Sequence, residues 1–204
     1  MAWLRLFDHR TEDWFRTFWG RPWLDAAMLD VTALGGFYVL TLVVLFSVGL
    51  LLTLRRYRTA GFVTAAVAGG VLLSRLIKLE IKRSRPESRH WLVSSMFGSD
   101  YSFPSGHSMM SAVVYLTLAL VFTAVIRRWK VRAFVIISSL LLVGLIGLSR
   151  MYLGVHYPSD VVAGWLGGLA WALMCRWVEY HWVLRAERRA AAQASPEPQP
   201  VETL

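Results

Sequence analysis

The stretch that decides the fold is SFPSGHSMMSAVVYLTLAL, residues 102–120. It begins as a turn, through Pro104-Ser105-Gly106. From His107 onward it becomes an apolar run that carries no charged residue as far as position 126. A run of roughly 20 such residues is long enough to cross the hydrocarbon of a bilayer as a helix. An imidazole at the edge of that run costs free energy, so its presence points to a purpose.

Similar runs recur on both sides. Residues 31–54 contain no charge, residues 60–77 contain only Arg75, and residues 133–148 are again uncharged and extendable to 153. Residues 161–175 form the shortest run, extendable towards 184. The chain has 204 residues, 56% of them hydrophobic, which is too many long uncharged stretches for a water-soluble domain. Backbone in lipid must bond to itself, and no barrel-like alternation is present, so the runs predict helices. The expected fold is an all-α polytopic bundle of five membrane helices.

Residues 1–30 hold no uninterrupted apolar core, because Arg5, Asp8, Arg10, Glu12 and Asp13 break it, so no cleavable signal peptide is predicted. Trp3, Leu4, Phe7, Trp14, Phe15 and Phe18 recur at helical spacing. They predict an amphipathic helix lying at the membrane interface, with packing against protein as the equal alternative. The chain then divides into that helix at 1–27, a membrane domain at 28–184, and a basic and then disordered tail at 185–204. Cys175 is the single cysteine and predicts a small core residue rather than a disulfide.

The formal net charge of +9 would suit nucleic acid, but its placement suits a membrane instead. Arg55, Arg56 and Arg58 follow the first run. Arg127, Arg128, Lys130 and Arg132 separate the third from the fourth. Arg176, Arg185, Arg188 and Arg189 follow the fifth. Five spans put these clusters on one side, which the positive-inside rule makes cytoplasmic. The C-terminus is then cytoplasmic, and the predicted location is the cell inner membrane. Lys78, Lys82, Arg83, Arg85 and Arg89 crowd the opposite side, where topology gives them no role. They predict an anion site.

The outward side holds three informative segments: residues 78–86, Pro104-Ser105-Gly106-His107, and residues 149–160. In the second, Gly106 permits close approach to a ligand, and the helix that follows starts with unpaired N–H groups. Such a start binds anions. Ser105 suits either capping that helix or donating to a phosphate oxygen. In the third, Pro158 opens a helix whose first turn carries Asp160. A carboxylate there can accept the Nδ1 proton of His156 and leave Nε2 as nucleophile or base. Arg150 and Arg85 offer guanidinium forks that match phosphate, and Lys78 a point charge. Together these residues favour phosphoryl transfer.

Lys78, six residues and then Arg85-Pro86; Pro104 to His107; and Ser149-Arg150, five residues, His156, three residues, Asp160 form a pattern. It resembles the three-part signature of the type-2 phosphatidic acid phosphatases, whose superfamily includes the vanadium haloperoxidases. The resemblance spans residues 78–160. It implies that His156 attacks phosphorus to give a phosphohistidine, that Asp160 orients His156, and that His107 protonates the leaving oxygen and then activates water. It implies phosphate binding by Lys78, Arg85, Ser105, Gly106 and Arg150. Members commonly carry six spans, against five plus an interfacial helix here.

No cofactor and no metal are implied, since Glu80, Glu87, Asp100 and Asp160 are too scattered for a Mg²⁺ cage. The expected partners are a lipid phosphate substrate and the bilayer, with no nucleic acid. Phosphatidate, phosphatidylglycerol phosphate, undecaprenyl diphosphate and lipid A phosphates all fit as substrates. The alternative function is a non-enzymatic transporter or binder of anionic headgroups, which has no need of a His156–Asp160 pair. A haloperoxidase is disfavoured because those relatives are generally soluble. Gly164, Gly167 and Gly168 allow close helix packing and leave the oligomeric state open.

Overall fold

The computed structural model describes residues 2–86 and 101–194. Glu87, Arg89 and Asp100 of the predicted outer loop, and the tail from residue 195, lie outside the described residues. Among the described residues there are seven helices: α1 (Ala2–Arg16), α2 (Pro22–Ala33), α3 (Phe37–Thr53), α4 (Tyr57–Ile81), α5 (Gly106–Val125), α6 (Trp129–Tyr152) and α7 (Pro158–Ala194).

Four of them, α4, α5, α6 and the Pro158–Val183 part of α7, are each long and apolar enough to cross a membrane. The predicted run at 31–54 is a bent pair instead. α2 begins earlier, with Pro22 at its first turn, and meets α3 at a 45° bend. The bend falls at Gly35-Gly36, where two residues without side chains let the helix break. Counting that pair as one span gives five, in the all-α membrane architecture expected.

α5 is the axis of the bundle. Two-thirds (67%) of its span is buried, against 17–28% for the other three. Its Met109, Ala112, Val113 and Val114 are fully enclosed. The other spans keep one face inward and turn large apolar residues such as Phe46, Phe134, Leu141 and Leu166 outward, as lipid contact demands. A π-helical turn, Ala112–Leu116, interrupts α5 where it passes α7. Gly164 and Gly168 of α7 allow that contact. A Cβ on Gly164 would lie 2.9 Å from the Ser105 carbonyl oxygen, and one on Gly168 only 2.6 Å from the Met109 carbonyl oxygen.

α7 has 37 residues, about 55 Å at 1.5 Å per residue, well beyond the ~30 Å of hydrocarbon. It continues past residue 184 to Ala194 because residues 190–194, AAAQA, have high helix propensity. α1 docks across the other end. Phe15, Phe18 and Trp19 pack against Tyr152, Leu153 and Val155, and Trp19 Nε1 donates to the Tyr152 carbonyl at 2.7 Å. Leu6, Phe7 and Trp14 on its outer face stay exposed.

Candidate active site

The end of the bundle beneath α1 collects the C-termini of α4 and α6 and the N-termini of α5 and α7. α4 stops at Lys82, which takes a left-handed conformation (φ 48°) and turns the chain back over the bundle. The segment that follows is extended and pairs through a single bridge, Ser84 to Tyr101, while Ser102 donates its N–H to the Arg83 carbonyl at 2.8 Å. In extended chain, residues i and i+2 share a face. Arg83 and Arg85 therefore point the same way, into the site. Lys82 is exposed at the helix cap.

Lys78, one turn before the end of α4, donates from Nζ to the carbonyls of Pro104 (2.7 Å) and Tyr101 (3.2 Å). It thereby lashes the turn that opens α5. Ser105 is the N-cap of α5: its fully buried side chain accepts from Ser108 N at 3.5 Å and from Ser108 Oγ at 2.9 Å. Capping, one of the two roles its position suits, is thus present. The Ser105 N–H donates to the Asp160 carbonyl at 3.0 Å, so the starts of α5 and α7 are tied through backbone.

Arg150 closes the inner wall. Only 1% of it is exposed, and Nη1 donates to Thr32 Oγ1 at 3.0 Å across to α2. Arg85 donates to the Val155 carbonyl at 3.1 Å and brings the same Nη1 to 3.4 Å from His156 Nε2. His107 lies within electrostatic range of Arg150, His156, Arg85 and Lys78. The fold thus gathers both histidines and the three predicted cations at one end.

His156 sits in the short turn between α6 and α7, buried at 4% exposure. Burial, and then the charges of Arg150, Arg85 and Lys78, hold its pKa well below the usual imidazole range, so the ring is neutral. Nδ1 lies 3.6 Å from Asp160 Oδ2, just beyond hydrogen-bond length rather than in the direct contact expected. Asp160 is otherwise engaged: Oδ2 accepts the Tyr157 N–H at 3.1 Å, and Oδ1 accepts from Arg83 Nη1 at 2.8 Å.

Three contributors escaped the sequence reading. Arg83 was only one charge in a basic cluster, although its i−2 spacing from Arg85 was a usable signal. Thr32, which orients Arg150, and Asp8, which contacts Arg83 at 2.7 Å, had no local signal at all. Burial disfavours the charge on Arg83, but the hydrogen bond with Asp8 and the two carboxylates outweigh it and raise its pKa.

An apolar cavity of about 360 Å³ opens between α3, α4 and α5. Leu40, Val44, Val67, Val71 and Met110 line it, and Gly106 and His107 lie at its polar end. Gly35 makes room there, since a Cβ would stand 2.5 Å from Ile146 Cγ2 and 3.5 Å from the His107 ring. Neutral imidazole, cations, helix N-terminus and apolar cavity are parts that can hold an anionic headgroup on a hydrocarbon anchor beside a ring nitrogen. Among the described residues no three His, Cys, Asp or Glu side chains gather as a metal site.

The family model described as the PAP2 superfamily matches residues 59–184. The chain is 34% identical over 154 residues to phosphatidylglycerophosphatase B of Bacillus subtilis, covering 73% of this chain and 72% of that protein. It is 34% identical over 125 residues to undecaprenyl-diphosphatase of Sulfolobus acidocaldarius, covering 58% of this chain and 55% of that one. Its fold is similar to the crystal structure of a transmembrane PAP2-type phosphatidylglycerolphosphate phosphatase from Bacillus subtilis. That match has a TM-score of 0.79 and 28% identity, and covers 89% of this chain and 88% of that one.

Proposed function

The chain belongs to the PAP2 superfamily and is a multi-pass membrane lipid phosphatase, and we propose that it cleaves the terminal phosphate of a lipid monophosphate or diphosphate through a phosphohistidine at His156. The observation that carries this reading is the buried, neutral His156, with Nε2 facing Arg85 at 3.4 Å. A mere binder of anionic headgroups has no use for a desolvated nucleophile placed among cations.

The proposed reaction has two displacements. His107 takes up a proton as the phosphate anion binds beside it; His156 Nε2 then attacks phosphorus, the P–O bond to the lipid breaks, and His107 gives that proton to the departing oxygen. With a diphosphate the departing group is the lipid monophosphate. Neutral His107 then takes a proton from water, whose oxygen attacks the phosphohistidine. The P–N bond breaks, free phosphate leaves, and His156 is restored. Lys78, Arg85 and Arg150, with Ser105 and Gly106 at the helix start, would hold the phosphoryl oxygens. A preorganised donor at developing charge contributes roughly 10²–10³ in rate. Asp160 would stabilise the cationic ring of the intermediate. No step in this scheme calls for a metal.

The cavity that ends at Gly106 and His107 would take the lipid tail from within the membrane. By charge placement the site faces away from the cytoplasm, in the inner membrane, with the C-terminus inside. The division at residues 27 and 184 belongs to the same reading. Of the substrates considered, undecaprenyl diphosphate suits the outward site best.

Purified protein in detergent, offered phosphatidate, phosphatidylglycerol phosphate, undecaprenyl diphosphate and lipid A phosphates in turn, tests the reading by released phosphate. At least one should turn over, and His156→Ala should abolish it together with an acid-labile phosphoenzyme. Undiminished turnover in His156→Ala removes the mechanism.

A further inference from the structure

Asp8 stands 148 positions from His156 in sequence, yet only 1% of it is exposed, and it is bonded into the same corner of the protein. Oδ1 accepts the backbone N–H of Ser159 at 3.0 Å, and Oδ2 accepts Ser159 Oγ at 2.7 Å and Arg83 Nη2 at 2.7 Å. Arg83 in turn spends Nη1 on Ser159 Oγ at 2.6 Å and on Asp160 Oδ1 at 2.8 Å. Its guanidinium lies over the Tyr157 ring, 4.2 Å from the centroid. The two prongs of one fork are thus divided between two carboxylates.

A buried carboxylate is costly to desolvate, and α1 is already docked by Phe15, Phe18 and Trp19. Asp8 accomplishes something that docking does not. One guanidinium shared by two carboxylates neutralises neither, so Asp160 keeps negative charge to offer the His156 ring 3.6 Å away. Without Asp8, both prongs are free to close on Asp160. A bidentate pair would then form, absorbing that charge and drawing the carboxylate away from Nδ1.

Resting on the reading of His156 as the nucleophile, we infer that Asp8 is a positioning residue. By holding the far prong of Arg83 it keeps Asp160 aimed and charged towards His156, so the N-terminal helix completes the catalytic assembly.

The test uses the full chain in detergent micelles with dioctanoyl phosphatidate as the probe. Wild type, His156→Ala, Asp8→Asn, Asp8→Glu, Arg83→Gln and the Asp8→Asn/Arg83→Gln pair are compared. Asp8→Asn should lower kcat by about 10- to 100-fold, as loss of an outer-shell orienting group does, with KM nearly unchanged. Asp8→Glu should recover part of the loss. The double variant should be no slower than Arg83→Gln alone, because Asp8 acts through Arg83. Phe15→Ala, which loosens α1 without touching the carboxylate, should not reproduce the kcat loss at a matched drop in melting temperature.

Wild-type kcat in Asp8→Asn, a change confined to KM, additive losses in the pair, or an equal loss in Phe15→Ala would each overturn the inference. If Asp8→Asn gives no folded protein, Arg83→Lys carries the test. A lysine reaches one carboxylate but not both, so the same kcat loss is expected and wild-type kcat overturns the inference. A wild type that releases phosphate from none of the four lipid phosphates, or a fully active His156→Ala, sinks the reading of His156 as the nucleophile. An active wild type with inactive His156→Ala and unaffected Asp8→Asn sinks only the role of Asp8.

Discussion

Replacing Asp160 with asparagine keeps size and shape and removes one charge, and its cost can be worked from the geometry. In the proposed reaction the His156 ring becomes cationic once Nε2 bonds phosphorus. Its Nδ1–H then faces a carboxylate oxygen 3.6 Å away. Two unit charges at that separation attract by about 4.6 kcal/mol at an effective dielectric near 20. The Asp160 charge is partly balanced by Arg83 Nη1 at 2.8 Å, so the share available to the ring is smaller. Losing roughly 3–4 kcal/mol of stabilisation from the intermediate and the transition state before it slows chemistry by about 10²–10³. Binding of the ground state, where the ring is neutral, is hardly affected, so the loss should fall on kcat rather than KM. The Tyr157 N–H keeps an acceptor in the asparagine oxygen, so folding should survive. The assay is steady-state phosphate release from dioctanoyl phosphatidate, alongside a thermal melt in the same detergent. A folded Asp160→Asn with kcat within about tenfold of wild type would refute the electrostatic coupling of Asp160 to His156.

Two further outcomes follow from the same geometry. Val71→Trp places an indole in the 360 Å³ cavity that ends at His107. Displacing about two methylenes of lipid tail, at about 0.8 kcal/mol each, should raise KM for dioctanoyl phosphatidate roughly tenfold. Turnover of p-nitrophenyl phosphate, which has no tail, should stay unchanged, and an equal loss on both esters would deny the cavity its role. Stability should also respond to acid through His156, whose folded pKa lies well below its unfolded one. Above pH ~6.5 both states are neutral and the ring contributes no dependence; as pH falls, the unfolded chain takes up a proton that the folded protein refuses. By pH 5 that amounts to about 2 kcal/mol of lost stability. His156→Gln should therefore show a shallower fall in melting temperature between pH 7 and pH 5 than wild type, and equal slopes would mean that the ring is solvated.

Much of this was legible because it is local. The runs at 60–77, 133–148 and 161–175 lie inside helices, and the run at 107–126 does so up to Val125, since a lipid-facing helix must be apolar along its whole length and that property is additive over neighbours. His156 and Asp160 share one turn, so their pairing could be read from spacing, although its length could not: Arg83 and the Tyr157 N–H already hold the carboxylate. The bend at Gly35-Gly36 is not legible because hydropathy registers two glycines as apolar and is blind to their flexibility, while the use of Gly35, admitting Ile146 and the His107 ring, comes from elsewhere in the chain. Ser105 illustrates a different limit. One oxygen suits a helix cap and a phosphate equally; the contact with Ser108 shows the cap, and accepting there does not prevent the hydroxyl from donating to a phosphate.

Asp8 shows most clearly where sequence reasoning stops. In one dimension it is a charge that spoils the apolar face of an amphipathic helix, and the same residue argues against a signal peptide. Its meaning depends on Ser159, 151 positions away, and on an arginine that looked surplus beside Arg85. An isolated interfacial helix would keep that carboxylate in water, because burial without partners costs several kcal/mol. That it is buried, with three donors around it, means that α1 cannot leave the bundle without releasing the far prong of Arg83 and exposing Asp160 to a different balance of charge. The outer face of the same helix presents Leu6, Phe7 and Trp14 to its surroundings. One short element therefore has a membrane-competent surface on one side and a ligand of the catalytic ion network on the other, so whatever shifts its seat at the interface must also shift the charge facing His156.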